Sequence, residues 1–218
     1  MLNGNIVKID CKSPEWSGLK GADWKLGELL DLLGDYTLNL KTDYFGSLVR
    51  SILGQQLSVK AAATIWNRTV ALCGKISPET VLSLDAERLR EAGLSKSKIS
   101  YIKDLAQKVL DGEILFQEIT GLPDQQVIEN LTRVKGIGRW TAEMFLIFSL
   151  GRPDVFSPDD FGLRRGIKWL YGLDDLPGKV EVREMAENWK PFRTAASLYI
   201  WEAINRGLVD GGYKISAR

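Results

Sequence analysis

Apolar residues recur at intervals of three and four along most of the chain, which is the spacing of an amphipathic helix. In residues 44–53, for example, Phe45, Leu48, Val49 and Ile52 share one helical face. Residues that start or stop helices punctuate these segments, such as Ser58 before one and Gly74 after it. The pattern predicts helices at residues 24–33, 44–53, 59–72, from 78, 86–92, 96–110, 125–133, 139–150, 161–170, 182–189 and 195–205.

Only residues 6–10 alternate as a strand does, and the loops between helices are short. The sequence therefore predicts an all-α protein. A chain of 218 residues is long enough for one large domain or two lobes. No apolar run approaches the roughly 20 residues of a membrane helix, and the first residues lack the apolar core of a secretory signal. We expect no membrane partner and a cytoplasmic location.

Composition excludes several kinds of chemistry. The chain contains no histidine, so it cannot form a Ser-His-Asp triad, a Cys-His pair or a histidine metal site. Its two cysteines, Cys11 and Cys73, are too few for a four-cysteine cluster, and they fit a reducing compartment. Any ionisable catalytic group must therefore be Asp, Glu, Lys, Tyr or Cys.

The formal net charge is only +1, so any surface for an anionic partner must be local. Two clusters of basic residues are candidates, although charge clusters of this size are as often ordinary solvated faces. They are Arg133, Lys135 and Arg139, and Arg164, Arg165 and Lys168.

The most informative stretch runs from residue 131 to residue 160. A Gly136-Ile137-Gly138 turn joins two predicted helices, and Pro158-Asp159-Asp160 follows the second. Amides after such a turn are unpaired donors that favour anions such as phosphate. Either feature alone is ordinary, because a GxG is usually a turn and Pro-Asp-Asp is usually a helix start. Together they indicate a nucleotide held by its phosphates near a carboxylate.

Tryptophan placement supports this interpretation. Most of the seven tryptophans are expected in the core, but Trp140 directly follows the turn and shares a helical face with Met144. An aromatic wall near a carboxylate suits a flipped nucleobase, especially a cationic one. Turn geometry predicts that the neighbouring Glu143 and Glu202 face solvent.

These residues resemble a known family. Residues 131–160, with Lys190-Pro191-Phe192-Arg193 and Tyr199-Ile200-Trp201, are similar to the helix-hairpin-helix DNA glycosylase superfamily, and most similar to its 3-methyladenine DNA glycosylase II branch. Residues 52–62, reading ILGQQLSVKAA, give a second match. The resemblance covers roughly residues 42–201. Only about 40 residues precede it, so we expect a compact form without the extra N-terminal domain of larger members.

The resemblance implies an all-α helix-hairpin-helix glycosylase fold. A single domain, residues 1–218, is expected to consist of two helical lobes with a DNA-binding cleft between them. One lobe would comprise residues 1–44 and 152–218. The other would comprise residues 45–151, with the helix-hairpin-helix at 124–150.

The resemblance also assigns roles to individual residues. Asp160 matches the catalytic aspartate, and Trp140, Met144 and Trp201 match the base pocket, where Met144 replaces an aromatic residue of better-known members. The matching DNA-contacting positions are Gly136, Ile137, Gly138, Arg139, Thr141, Gln56, Leu57, Ser58 and Lys60, with Gln56 or Leu57 as the wedge that fills the gap left by the flipped nucleotide. Backbone carbonyls of Thr132, Val134 and Ile137 match a site where some members hold Na+ or K+. No other cofactor is implied.

The chemistry agrees with this inventory. Breaking a base–sugar bond builds positive charge on the sugar, which an ionised Asp160 can stabilise. An alkylated base is already a good cationic leaving group, so it needs no histidine acid. We favour Asp160 over Asp159 as the catalyst, with one aspartate capping the helix and the other facing the pocket. Bifunctional relatives carry a lysine at the position of Trp140, so no strand cleavage (AP lyase activity) is expected.

The leading interpretation is a monofunctional glycosylase for alkylated purines such as 3-methyladenine or 7-methylguanine, acting in base excision repair. The expected partner is damaged double-stranded DNA, bound by a monomer, in the cytoplasm or in a eukaryotic nucleus. Two alternatives remain open at this stage. One is a glycosylase for another lesion, and the other is a helix-hairpin-helix module that binds DNA without catalysis.

Overall fold

A computed structural model of the protein describes residues 6–215, and in this part of the chain it contains thirteen helices and one two-stranded sheet. The predicted helical class is therefore confirmed. In chain order the elements are β1 Ile6–Ile9, α1 Pro14–Ala22, α2 Trp24–Leu33, β2 Tyr36–Asn39, α3 Tyr44–Gly54, α4 Val59–Cys73, α5 Pro78–Ser83, α6 Ala86–Glu91, α7 Lys96–Leu110, α8 Phe116–Ile119, α9 Asp124–Thr132, α10 Arg139–Phe148, α11 Phe161–Tyr171, α12 Lys179–Glu187 and α13 Arg193–Asn205.

The structure adds elements that the pattern did not predict. Helix α1 contains two glycines, which weaken the helical signal, but Ser13 caps it and Pro14 begins it. Strand β2 pairs antiparallel with β1, so that Val7 lies opposite Leu38. The short α8 was also missed, and α12 begins at Lys179 because Gly178 serves as its N-cap. In each case the local sequence pattern that would predict the element is weak.

The chain divides into two compact units. The discontinuous unit comprises the described residues up to Leu40 and those from Gly151 onwards, and the central unit is Lys41–Leu150. The resemblance put these boundaries at 44/45 and 151/152. Lys41 belongs with the central unit because its backbone N–H donates to the carbonyl oxygen of Phe148, 2.9 Å away.

In the discontinuous unit, α13 is the central helix and packs against α2 and α11. Its residues Tyr199 and Ile200 are fully buried. Gly166 permits the close approach of α11, because a Cβ there would lie 2.2 Å from Cγ2 of Ile200. Burial raises the pKa of the Tyr199 hydroxyl, which donates to the carbonyl of Gly34 over 2.8 Å.

In the central unit, α3 packs against α4 and α7, and α9 packs against α10. An aromatic cluster helps to hold this unit together: the ring centroids of Tyr44 and Phe145 are 5.6 Å apart, and those of Phe116 and Phe145 are 6.3 Å apart. Across residues 6–215, no helix combines the length and apolarity required to cross a bilayer.

Candidate active site

The predicted glycine turn lies in the central unit between the end of α9 at Thr132 and the start of α10 at Arg139. Gly136 has φ +80°, in the left-handed region that favours glycine. A Cβ at this position would also lie 2.1 Å from Cδ2 of Tyr101. Gly136 is therefore required both by its backbone conformation and by the Tyr101 ring packed against it.

Gly138 differs from Gly136, because nothing in the described residues 6–215 requires a glycine there. Its φ is −92°, and a Cβ would meet no atom within 4 Å. It is the N-cap of α10, and as a glycine it supplies no side-chain cap to that helix. A phosphate could accept hydrogen bonds from the backbone amides of this turn. The space beside Gly138 leaves room for such a group to approach the backbone.

Three side chains hold the turn and its neighbourhood in place. The Gln55 amide Nε2 donates to the carbonyl of Gly136 over 2.8 Å, and the Lys135 backbone N–H donates to Asp104 over 2.9 Å. Lys98 donates to the carbonyls of Leu53 and Gln55 over 2.7 and 2.8 Å, and burial lowers its pKa. Sequence reasoning missed Lys98 and Asp104, because these contacts join residues 31 to 45 positions apart.

The predicted wedge lies on the turn between α3 and α4. Gln56 has φ +57° and is the one non-glycine residue with positive φ among residues 6–215. Such a conformation costs about 1–2 kcal/mol, which the surrounding contacts must offset. Gln56 and Leu57 are exposed, as is Lys60. Ser58 caps α4 by accepting from the backbone N–H of Ala61 over 3.3 Å.

The remaining predicted residues of the central unit differ in accessibility. Trp140 is 40% exposed and lines a cavity of about 480 Å³ together with Gln55 and Gln56. Met144 is half-buried. Ile137 and Thr141 are only 4% exposed, so their backbone groups rather than their side chains are available to a partner.

Both basic clusters are largely engaged with protein partners. In the first, Arg133 pairs with Glu113 at 3.2 Å, Lys135 with Asp104 at 3.7 Å and Arg139 with Glu143 at 2.8 Å. In the second, Arg164 donates to the carbonyl of Pro177 over 2.8 Å, and Arg165 pairs with Asp210 at 2.6 Å. Lys168 lines a cavity of about 620 Å³ with Trp169 and Tyr213.

Two carboxylates depart from expectation. Glu143 was predicted to face solvent, and this is wrong: it is 2% exposed. The Arg139 guanidinium reaches it from the preceding turn of α10, which lets the charge be buried. Glu202 is half-buried rather than exposed and accepts from Nε of Arg206 over 2.8 Å.

The predicted catalytic aspartate lies in the discontinuous unit at the start of α11. Oδ1 of Asp160 accepts from the backbone N–H of Leu163 over 2.7 Å and from the indole N–H of Trp201 over 3.1 Å. A Cβ at Gly162 would lie 3.0 Å from the same oxygen. The carboxylate is thus held in one orientation, and the structure brings together Asp160 and Trp201, which the sequence separates by 41 residues.

Asp159 lies beside Asp160 in sequence but has a different environment. It is exposed and forms an ion pair with Lys179. With Asp160 as the favoured catalyst, the expected division of roles leaves the cap of α11 to Asp159, and that part is wrong, because Asp160 itself caps α11. One oxygen of Asp160 is sufficient for the cap, so capping does not require a second aspartate.

Comparisons with known proteins identify the class. A family model described as the HhH-GPD superfamily base excision DNA repair protein matches residues 49–191. The chain therefore belongs to this superfamily, and the resemblance recognised in its sequence is confirmed.

Individual relatives narrow the comparison. The chain is 39% identical over 191 residues to DNA-3-methyladenine glycosylase 1 of Schizosaccharomyces pombe, covering 84% of each sequence. Its fold is similar to a crystal structure of a DNA-3-methyladenine glycosidase from Bacillus halodurans, with a TM-score of 0.87, 41% identity and coverage of 96% of this chain and 97% of that one. It is also similar to the S. pombe enzyme in complex with abasic DNA, with a TM-score of 0.82, 37% identity and coverage of 88% and 97%.

Proposed function

We propose that this protein is a monofunctional DNA glycosylase that hydrolyses the N-glycosidic bond of alkylated purines such as 3-methyladenine and 7-methylguanine. The observation that carries the proposal is the Asp160 carboxylate, held by Trp201 and by the start of α11, in a member of a base excision repair family. The relatives named 3-methyladenine glycosylases support this choice of substrate.

The reaction follows from the charge of the substrate. An alkylated purine carries a positive charge, so the electron pair of the breaking C1′–N bond neutralises the departing base. Positive charge then develops on the deoxyribose, as it does in glycoside hydrolysis. Asp160 stabilises this charge and orients a water molecule, whose oxygen bonds to C1′ while its proton passes to the carboxylate or to solvent. The products are a free base and an abasic site.

Two tryptophans fit the proposed preference for cationic bases. We propose that Trp140 and Trp201 contact the flipped base, with Met144 as a further apolar contact. Attraction between a cation and a desolvated aromatic face is worth about 2 kcal/mol. Position 140 holds no lysine that could form a Schiff base with the sugar, so the abasic product should keep an intact strand until it is treated with alkali.

The hairpin is proposed to hold the DNA backbone. Amides of the 136–141 segment would bind a phosphate, and the carbonyls of Thr132, Val134 and Ile137 would hold a Na+ or K+ ion. The Val134 carbonyl fits such an ion, because it accepts from the Ile137 N–H over 3.1 Å and keeps a second lone pair. When bound, the ion would add positive charge next to the phosphate. We further propose that the protein acts as a monomer on damaged duplex DNA, in the cytoplasm or in a eukaryotic nucleus.

The decisive experiment compares base release from methylated duplex DNA by the wild type, Asp160→Asn and Asp159→Asn. Asparagine is also a good N-cap, so Asp160→Asn should leave α11 intact. We expect wild type and Asp159→Asn to release free alkylated base and leave alkali-sensitive sites, and Asp160→Asn to release none while still binding DNA.

Other outcomes would identify the alternatives. Release of only deaminated or oxidised purines by the wild type would indicate a glycosylase for another lesion. DNA binding without release of any base, together with tighter binding by Asp160→Asn, would indicate a non-catalytic module. Strand breaks without alkali would contradict the monofunctional assignment.

A further inference from the structure

Two basic residues of the central unit, Lys41 and Arg50, belong to neither cluster recognised in the sequence. Arg50 is exposed on α3, and its guanidinium carbon lies 5.4 Å from the ring centroid of Trp66 on α4. Arg50 lines the same cavity of about 480 Å³ as Trp140 and Gln56. It therefore adds a positive charge to the surface that carries the proposed wedge.

Lys41 precedes α3 and is held in a similar way. Its Nζ lies 5.4 Å from the ring centroid of Phe148, and its backbone N–H is bonded to the carbonyl of the same residue. It lines a small cavity of about 40 Å³. Ser51 lines this cavity as well as the larger one beside Arg50. Lys41 as a whole is exposed, but partial burial of its ammonium group, and then the charge of Arg50, lower its pKa.

Neither cation has an acidic partner among residues 6–215. The acid nearest to Lys41 in sequence, Asp43, instead caps α3 by accepting from the backbone N–H of Gly46 over 2.9 Å. The hairpin cations differ, because Arg133, Lys135 and Arg139 each pair with a carboxylate. Aromatic faces hold Lys41 and Arg50 in position without neutralising them.

We propose that Lys41 and Arg50 form a second phosphate-binding site, separate from the hairpin, which takes a DNA backbone phosphate beside the extruded nucleotide. Two adjacent like charges are unfavourable until an anion joins them. The side chains of Ser51, Gln55 and Gln56, which line the same surface, add neutral donors suited to phosphate oxygens. Because aromatic rings already hold the side chains of Lys41 and Arg50 in place, these side chains lose little conformational entropy when a phosphate binds. This inference rests on the proposed function only in that it requires damaged duplex DNA to be the ligand.

The test is a binding cycle on duplex DNA that contains a non-cleavable abasic analogue. Single phosphates around the lesion are replaced in turn by uncharged methylphosphonates. Affinity is measured for the wild type, Arg50→Gln and Arg68→Gln. Arg68 is a matched control, since it is an exposed arginine of α4 outside the cavity. Thermal unfolding confirms that each variant folds, and Lys41→Gln serves as a second variant.

We expect Arg50→Gln to bind about tenfold more weakly than wild type and to reduce the salt-dependence slope of log K by about one. At one position, the methylphosphonate should weaken DNA binding by the wild type by a similar factor. The same methylphosphonate should leave the affinity of Arg50→Gln unaffected. Arg68→Gln should behave as wild type. The proposal is overturned if Arg50→Gln keeps wild-type affinity and slope, if Arg68→Gln loses as much, or if no methylphosphonate effect depends on Arg50. Absence of base release by the wild type would instead count against the proposed function, because this binding cycle involves no catalysis.

Discussion

The indole N–H of Trp201 donates to Oδ1 of Asp160 over 3.1 Å, so a residue near the middle of α13 orients the carboxylate at the start of α11. Both residues belong to the discontinuous unit. Sequence resemblance assigned Trp201 to the base pocket alone. The observed contact instead predicts that Trp201 is a positioning residue for Asp160.

Replacing Trp201 by phenylalanine keeps an aromatic face and removes the N–H donor together with part of the ring volume. A hydrogen bond to a charged group contributes about 1.5–3 kcal/mol. We therefore expect Trp201→Phe to slow base release roughly tenfold or more in single-turnover assays, while its affinity for abasic DNA changes little. Combining Trp201→Phe with Asp160→Asn should add no further loss, because the indole acts through that carboxylate.

Trp169→Phe is the matched control for this prediction. Its indole N–H also donates to an oxygen in the same unit, the carbonyl of Tyr213, over 2.7 Å. It should release base at the wild-type rate. Equal slowing in both variants would show that the effect is general to the unit, and an unchanged rate in Trp201→Phe would remove its positioning role.

The two glycines of the hairpin should respond differently to alanine. At Gly136 a Cβ meets the Tyr101 ring and the backbone has positive φ, so Gly136→Ala should destabilise the protein by about 2–4 kcal/mol. Urea unfolding of Gly136→Ala and of Gly136→Ala with Tyr101→Ala would check this. The effect of Tyr101→Ala alone is subtracted from that of the double variant. The remaining loss in the free energy of unfolding should be smaller than in Gly136→Ala, because the clash with the ring is gone.

Gly138→Ala should leave stability within about 0.5 kcal/mol of wild type, because a Cβ there would meet no atom of the described part of the chain within 4 Å. Its affinity for abasic duplex DNA should nevertheless fall, since a methyl group would occupy the space through which a phosphate approaches the amides of α10. Fluorescence anisotropy on the same preparation as the urea experiment separates the two effects. Unchanged affinity would argue against close approach of DNA at this glycine.

Lys98→Met should disturb the turn between α3 and α4, which carries the predicted wedge. The substitution keeps an apolar stem but leaves the carbonyls of Leu53 and Gln55 without the ammonium that now bonds both. We expect a loss of about 1–3 kcal/mol in the free energy of unfolding and weaker DNA binding. Lys96→Met, at an exposed position of the same helix, should change neither quantity. A Lys98 variant as stable as wild type would show that solvent replaces the ammonium at no cost.

The helices and the hairpin could be predicted because their signals are local. Helix α3 shows its period in Phe45, Leu48, Val49 and Ile52, all of which are buried, and its end in Gly54. By contrast, β2 has four residues and only one buried side chain, Leu38, so its alternation is too short to detect. Its partner β1 lies about 30 residues earlier, and strand pairing over such a distance leaves no local trace.

The side-chain environment of the site was less predictable than its backbone. Asp160 could be recognised from its motif, but its bond to Trp201 and the ion pair of Asp159 with Lys179 are tertiary contacts. Glu143 was misassigned because helical spacing gives a side chain's direction without showing what lies there. Arg50 was overlooked for a similar reason: nothing local distinguishes an arginine over Trp66 from an ordinary surface arginine.

The proposed Lys41–Arg50 site should also have a characteristic pH dependence. Burial and the charge of Arg50 lower the pKa of Lys41 from its ordinary value, and the other residues that line its cavity carry no titratable group. Below this lowered pKa Lys41 is charged and attracts phosphate, and above it the attraction is lost. Affinity for abasic DNA should therefore begin to fall with rising pH before ordinary lysines, with pKa about 10.4, start to lose their protons and their charge. In Lys41→Arg the charge persists throughout this range, so its affinity should stay level where that of wild type declines. This difference between wild type and Lys41→Arg should vanish on DNA that carries the methylphosphonate at the position where it weakens wild type but leaves Arg50→Gln unaffected. Parallel curves for wild type and Lys41→Arg on unmodified DNA would mean that Lys41 does not contact the phosphate.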